Sequence, residues 1–208
     1  MVDSQNKFLE LLGSFINEKD PQLNNDIDWK EINRLAKIHN VSGIIGYMSG
    51  KLPQEQKPGP QLQKTMSDIL YNTIAVFTNR AYAMQQLIQV YEKHDILCLL
   101  MKGFLVRECY PVPELRTYGD IDFLIKQQDR ERSHQLMIEL GYEFTGSGTN
   151  AVWSYKKGIE YYEIHTHILN DIGHLSRDYI SYLGDVWKYA VPYTGLSIFR
   201  LNPEFEFI

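Results

Sequence analysis

The feature that most constrains the fold is a short run of apolar residues, Ile96 to Met101, which no polar side chain interrupts. A run of this length is too short for a typical buried helix, and a strand that is buried on both faces has this composition. We therefore predict a buried strand at this position, directly before Lys102 and Gly103.

Strand and helix patterns alternate after this run. Asp120 to Ile125 is predicted as a second strand, and Asp129 to Leu140 as a helix that Gly141 ends. Three more strands are expected at 142–145, 151–157 and 159–168, with turns at 146–148 and 156–158, and one or two short strands between Val186 and Phe199. The predicted fold class is α/β (α+β), a small mixed β-sheet flanked by helices.

The N-terminal part has only helical patterns. Apolar residues recur at helical spacing through residues 3–50, with Asp28 as a candidate N-cap, and again from Gln61 to His94 in one long helix. Prolines between Leu52 and Pro60 predict a connector. We expect a helical region with its connector at 1–60 and a second domain at 61–208, whose C-terminal end is truncated at a helix that starts near Asn202.

Composition limits the range of partners. The formal charge of −5 supplies no general basic field, which argues against a dedicated nucleic-acid binder. No apolar run approaches the length of a membrane span, and the N-terminus lacks the basic segment of a signal peptide. Neither cysteine, Cys98 or Cys109, has the spacing of a metal ligand. We expect a cytoplasmic protein with no membrane partner.

Two aspartates mark the start of the second predicted strand. Side chains alternate between the faces of a strand, so Asp120 and Asp122 should point the same way. Two carboxylates this close repel each other unless a cation neutralises them, and a divalent cation that prefers oxygen ligands does so well. The pattern therefore predicts Mg²⁺ or Mn²⁺ at this position.

A third carboxylate, Glu163, lies with His165 on one face of the strand predicted at 159–168. If that strand lies beside the second strand, Asp120, Asp122 and Glu163 form a cluster. Such clusters hold two metals about 3.5–4 Å apart and promote in-line phosphoryl transfer, with Glu163 as ligand and candidate base. The alternative is structural, because acids at the start of a strand often only cap a turn and face water.

The motifs of this region resemble those of the uncharacterised nucleotidyltransferases within the DNA polymerase beta-like superfamily. The matching segments read MKGFLVRECYPVPELRTYGDIDFLI and YYEIHTHI, and the likeness spans roughly residues 60 to 205, with its specific motifs in 101–125 and 161–165. The resemblance implies the nucleotidyltransferase fold, divalent metal dependence and transfer of a nucleoside monophosphate from an NTP such as ATP. It implies the same three acidic residues as catalytic metal ligands.

The phosphate-binding half of the site departs from the superfamily, which usually has Gly-Ser where this chain has Lys102 and Gly103. Gly103 permits close backbone approach to phosphate, and Lys102 would add a point charge. Arg116 has a planar donor fork that suits phosphate or a site carboxylate. His165 could orient a carboxylate or contact substrate, and it could equally be a satisfied strand histidine. All four are candidate ligands of the nucleotide or its metal.

Three functions remain open at this point. The leading one is transfer of a nucleoside monophosphate to an unknown hydroxyl acceptor on a small molecule, a sugar or a protein. The second is a non-catalytic module that binds a nucleotide or a partner on the same fold, as an antitoxin-like regulator would. The third is a metal phosphodiesterase, which would use water in place of the acceptor hydroxyl.

Overall fold

The structure is a computed structural model, and it describes residues 2–24, 26–101, 103–117, 119–149, 152–168 and 185–205. It divides into two compact units. The first, called here the helical unit, comprises residues 1–79 and 107–117, and the second, the sheet unit, comprises residues 80–106 and 118–208. The boundary between the units falls within a long helix, and a domain boundary at residue 60 stays a prediction.

The helical unit contains the helices that the apolar spacing predicted. They are α1 (Val2–Ile16), α2 (Trp29–Ile38), α3 (Ser42–Lys51) and the first part of α4 (Pro60–Lys93). The Asp28 side chain accepts a hydrogen bond from the backbone N–H of Glu31 at 3.1 Å, which confirms Asp28 as the N-cap of α2. The core of this unit includes Leu11, Ile32 and Ile45, none of which is exposed.

The sheet unit is built on a seven-stranded mixed sheet, which confirms the predicted fold class. Its strand order is β3-β4-β5-β2-β1-β7-β6. The strands are β1 (Cys98–Leu100), β2 (Ile121–Ile125), β3 (Glu143–Thr149), β4 (Val152–Lys157), β5 (Glu160–His165), β6 (Ala190–Thr194) and β7 (Ile198–Leu201). The sheet unit also contains the last part of α4, a short α5 (Gly103–Val106) and α6 (Arg130–Glu139).

The predicted turn at Gly146-Ser147-Gly148 is wrong, because β3 runs through these residues. The pairing with β4 shifts register between Phe144 and Gly146, where Gly146 has φ of 128°. A glycine adopts this backbone conformation without strain, so the chain makes a bulge within the strand where the sequence pattern indicated a turn.

The two faces of the sheet have different compositions. On one face, Phe123 and Tyr162 are fully buried and contact each other edge to face, with ring centroids 6.2 Å apart. Residues of α4, α5 and α6 belong to the same apolar cluster. The other face carries a smaller apolar cluster around Leu99 and Leu124, and beside it the polar residues described below.

Burial changes the acid–base behaviour of the larger cluster. Burial raises the pKa of the Cys98 thiol and of the Tyr91, Tyr142 and Tyr155 hydroxyls. The Tyr142 hydroxyl also donates a hydrogen bond to Glu160, which raises its pKa further. These groups therefore stay neutral in the folded protein at pH values at which they ionise in the unfolded chain.

Among the described residues, no helix is both long enough and apolar enough to cross a membrane.

Candidate active site

The candidate site lies where β2 and β5 run side by side in parallel. Asp122 of β2 is directly opposite Glu163 of β5, and Leu124 is opposite His165. The adjacency of these two strands, which the sequence argument had to assume, is therefore present. Because side chains alternate along a strand, Asp122 and Glu163 share the face opposite to Phe123 and Tyr162.

His165 completes the group. Its Nε2 atom lies 3.1 Å from Asp122 Oδ1 and 3.9 Å from Glu163 Oε2. One potential ligand atom from each of Asp122, Glu163 and His165 lies within 4.8 Å of the others. The side chains of Asp122 and His165 are each 10% exposed, whereas that of Glu163 is 30% exposed. Glu163 is thus the member that solvent or a substrate reaches most easily.

The short contact between His165 and Asp122 restricts the state of the imidazole. An ionised carboxylate only accepts hydrogen bonds, so Nε2 must carry the hydrogen in this arrangement and donate it to Oδ1. A histidine nitrogen that binds a metal must instead offer its lone pair. His165 can therefore orient Asp122 in the geometry seen here, or become a ligand itself if Nε2 releases its hydrogen.

The donor set fits a divalent cation. Two carboxylates, one of them buried, lie opposite each other on paired strands, and a cation between them would offset their mutual repulsion. Carboxylate oxygens suit Mg²⁺ and Mn²⁺, and an added imidazole suits Mn²⁺ better than Mg²⁺. Asp122, Glu163 and His165 are the residues that would hold such an ion.

Asp120 was predicted as a further ligand, and the structure places it just before β2 in a half-buried position. The alternation argument that paired it with Asp122 requires strand geometry, which starts at Ile121. Within the described residues, the group with ligand atoms close together contains Asp122, Glu163 and His165 without Asp120. A role for Asp120 as a ligand stays a prediction.

The predicted phosphate-binding residues Lys102 and Gly103 come directly after a residue that is hydrogen-bonded to Asp122. The backbone N–H of Met101 donates to the carbonyl oxygen of Asp122 at 3.2 Å. The chain then reaches Gly103, which begins α5, and α5 packs against β2. Gly103 is therefore close to the site in the fold, whereas Lys102 lies outside the described residues.

Arg116 belongs to the helical unit. It follows the single 3₁₀ turn Pro113–Leu115, and its guanidinium lies 5.9 Å from the centre of the Tyr110 ring. The carboxylates belong to the sheet unit, so the structure does not test the predicted contact of Arg116 with phosphate or with a site carboxylate.

Sequence reasoning gave no role to Ser154, which the structure places next to the site. Ser154 is directly opposite Glu163 on β4, and it is buried. Its neighbours Trp153 and Tyr155 point to the opposite face, where Tyr155 belongs to the larger apolar cluster and Trp153 packs against it. Strict alternation of polar and aromatic residues in Trp153-Ser154-Tyr155 was the signal that could have identified it.

Comparison with known families identifies the family of the chain. The family model of the uncharacterised nucleotidyltransferases matches residues 25–208. The chain belongs to this nucleotidyltransferase family. The match confirms the resemblance that the motifs indicated, and it includes Asp120, Asp122, Glu163 and His165. No curated protein sequence matches the chain significantly.

Two solved structures resemble part of this chain. One is the antibiotic-resistance factor ANT(2'')-Ia, with 13% identity and a TM-score of 0.38 over 43% of this chain and 48% of the other. The second is the lincosamide antibiotic adenylyltransferase LnuA with lincomycin bound, with 20% identity and a TM-score of 0.35 over 43% of this chain and 57% of the other. The matched regions span about half the length of each relative.

Proposed function

We propose that this protein is a metal-dependent nucleotidyltransferase that moves a nucleoside monophosphate from an NTP to a hydroxyl acceptor. Membership of the nucleotidyltransferase family supports group transfer from a nucleotide. The observation that supports metal dependence best is the pair Asp122 and Glu163 on adjacent strands, with His165 Nε2 at 3.1 Å from Asp122.

The three side chains have different roles in this proposal. Asp122 and Glu163 hold Mg²⁺ or Mn²⁺, and His165 fixes the orientation of Asp122 through its hydrogen bond. A bound metal would neutralise negative charge on the phosphates. Asp120 is proposed as an additional ligand at the edge of the site.

Glu163 is also the proposed general base. Its carboxylate is the most exposed of the three groups and can accept the proton of the acceptor hydroxyl. The acceptor oxygen then forms a bond to the α-phosphorus, and the bond from that phosphorus to the bridging oxygen breaks. Pyrophosphate leaves with the electron pair, so the charges and atoms balance.

The triphosphate must be held by groups other than the carboxylates. We assign this role to Lys102, Gly103 and Arg116, of which Gly103 is supported by its position after Met101 and beside β2. A glycine allows the phosphate to approach the backbone amides closely. ATP is the proposed donor, and the acceptor is a small molecule, a sugar or a protein.

The cysteines support a reducing compartment. Cys109 is exposed and Cys98 is buried, and neither forms a disulfide. An exposed free thiol persists best in the cytoplasm, which we propose as the location of the protein.

The test is incubation of the protein with α-³²P-labelled ATP, Mg²⁺ or Mn²⁺, and three pools of acceptors: hydroxylated small molecules, sugars and proteins. We expect a labelled product and stoichiometric pyrophosphate that disappear in Asp122→Asn and in Glu163→Gln. Glu139→Gln, which alters an exposed carboxylate on α6, is the matched control and should keep full activity.

Other outcomes identify the alternatives. Metal-dependent ATP binding without product in any pool would favour a non-catalytic binding module. Release of a monophosphate from a diester substrate would favour a phosphodiesterase. Equal activity of the wild type and Asp122→Asn would refute the proposed site.

A further inference from the structure

The helical unit contains an open cavity of about 350 Å³ that the proposed reaction does not use. Its walls come from α1, from the start of α3 and from residues 109–111. Leu12, Ile16 and Ile44 provide aliphatic surface, and Phe15 and Tyr110 provide aromatic surface. The volume lies in the range of about 300–1,000 Å³ that is typical of small-molecule sites. We call this space the apolar cavity.

Ordinary packing does not account for the apolar cavity. Protein interiors are close-packed, and apolar side chains normally fill the space between helices. Ile16, the last residue of α1, lines the cavity and is 69% exposed. Apolar walls that surround an open volume lose contacts and gain unfavourable hydration, unless a ligand covers them.

A second, smaller space adjoins the apolar cavity. It measures about 150 Å³, and the two spaces share Phe15 and Pro111 as walls. Phe15 contacts both Tyr110 and Tyr47 edge to face, with centroid distances of 6.3 and 6.2 Å. We call the smaller space the polar recess.

The polar recess contains one charge of each sign. Glu18 and Lys51 both line it, and the Lys51 ammonium lies 5.1 Å from the centre of the Tyr47 ring. A head group with a single charge would lie beside a like charge as well as an opposite one, so it gains little from this pair. A hydroxyl or amide group can donate to the carboxylate and accept from the ammonium, so it fits both charges.

From these two spaces we propose a second ligand site in the helical unit, for a small uncharged amphiphile. Its apolar body, aromatic or alicyclic, occupies the apolar cavity against Leu12, Phe15 and Tyr110. Its hydroxyl or amide head lies in the polar recess between Glu18 and Lys51. This site does not depend on the nucleotidyltransferase reaction, and it lies within one compact unit.

The chain contains a natural reporter of occupancy. Cys109 lines the apolar cavity and is exposed, whereas Cys98 is buried and burial raises its pKa. A thiol reagent such as 5,5′-dithiobis(2-nitrobenzoate) therefore reacts with Cys109 in the folded protein. A ligand in the apolar cavity should slow this reaction in proportion to occupancy.

The experiment uses the full chain and the neutral fluorescent probe N-phenyl-1-naphthylamine. We expect saturable fluorescence enhancement and parallel protection of Cys109. Competitors that share a naphthalene body then test the head group: 2-naphthaleneethanol should displace the probe with roughly fivefold higher affinity than naphthaleneacetate or naphthylethylammonium.

A pair of variants on α1 locates the binding. Leu12→Trp places a bulky ring in the apolar cavity and should weaken probe binding by at least about tenfold, because the remaining volume is smaller. Leu9→Trp adds the same side chain at a position that is 61% exposed and outside the cavity walls, and it should leave binding unchanged.

The proposal is overturned if the wild type shows no saturable probe binding, or if a saturating probe leaves the rate of Cys109 modification unchanged. Equal binding by Leu12→Trp and Leu9→Trp would also overturn it. Should Leu12→Trp fail to fold, protection of Cys109 in the wild type decides the question alone. None of these results bears on the nucleotidyltransferase assay, so failure of the two proposals can be distinguished.

Discussion

The two faces of the central sheet are made by alternate residues of the same strands, and they differ in almost every property. Phe123 and Tyr162 point to one face, are fully buried and contact each other. Their neighbours Asp122 and Glu163 point to the other face and bring two carboxylates together. The contrast teaches that one pair of parallel strands can supply stability through one face and a candidate metal site through the other.

The contrast also separates two kinds of mutational effect. Aromatic residues in the apolar cluster are held by burial and by ring contacts, so their removal should lower the free energy of unfolding. The two carboxylates repel each other, so removal of one charge should affect function and leave stability unchanged or slightly raised. Substitutions of adjacent residues test this separation directly.

The largest expected effect is on activity. Asp122→Asn and Glu163→Gln should each lower kcat/KM by about 10³-fold, because a lost metal interaction corresponds to several kcal/mol of transition-state stabilisation. Urea unfolding of both variants should give free energies within about 0.5 kcal/mol of the wild type, or slightly above it. A large loss of stability in either variant would show that the acidic face of the sheet also stabilises the fold.

The next effect should fall on stability. Phe123→Ala removes a ring that contacts both Tyr91 and Tyr162, and it should lower the free energy of unfolding by about 3–5 kcal/mol. Phe123→Leu keeps most of the volume and should cost less than about 1.5 kcal/mol. If Phe123→Ala were as stable as Asp122→Asn in urea unfolding, the distinction between the faces would fail.

A smaller effect is expected at His165, whose role is to position a ligand or to act as one. His165→Gln should weaken Mn²⁺ binding in calorimetry by about 10–100-fold, the usual range for a residue that supports a metal site. If His165 acts as a ligand, Mg²⁺ binding should fall less than Mn²⁺ binding, because imidazole suits Mn²⁺ better. Unchanged binding of both ions would make His165 only a buried strand residue.

The smallest effect concerns alkaline pH. Burial raises the pKa of Tyr91 well above its ordinary value of 10.0, so above pH 10 the unfolded chain releases a proton that the folded protein keeps. Stability therefore falls as pH rises, by up to about 1.4 kcal/mol per pH unit for each such group.

Tyr91→Phe isolates this contribution. At pH 7 the variant should be less stable by about 1 kcal/mol, because the hydrogen bond between Tyr91 and Ser133 at 2.6 Å is lost. Above pH 10 the difference from the wild type should shrink, since the variant has one fewer proton to release on unfolding. A constant difference between pH 7 and pH 11 in urea unfolding would contradict the assigned burial effect.

Much of the fold followed from sequence periodicity. The uninterrupted apolar run predicted β1, and the absence of glycine and proline from Gln61 to His94 predicted α4. Local patterns of this kind carry information about neighbours in the chain. Such patterns could not show that Gly146 lies within β3. Its positive φ is accommodated by a bulge in the pairing with β4, and strand pairing is not visible in a local pattern.

The candidate site was predictable only in part, for a related reason. Alternation identified Glu163 and His165 as members of one face, but the register that sets Asp122 opposite Glu163 depends on pairing across a long stretch of chain. The sequence pattern also did not predict that β2 starts at Ile121, because the ends of a strand depend on tertiary hydrogen bonds. Ser154 was missed because its position beside Glu163 is a property of the β4–β5 pairing.

The central claim, that the acidic face of the sheet binds a divalent cation, is tested most directly by electron paramagnetic resonance of Mn²⁺. Titration of Mn²⁺ into the wild type and into Glu139→Gln should suppress the six-line signal of the free ion until a site is filled. The double variant Asp122→Asn, Glu163→Gln should leave the free-ion signal at full intensity. Equal suppression by the double variant and by the wild type would contradict the account.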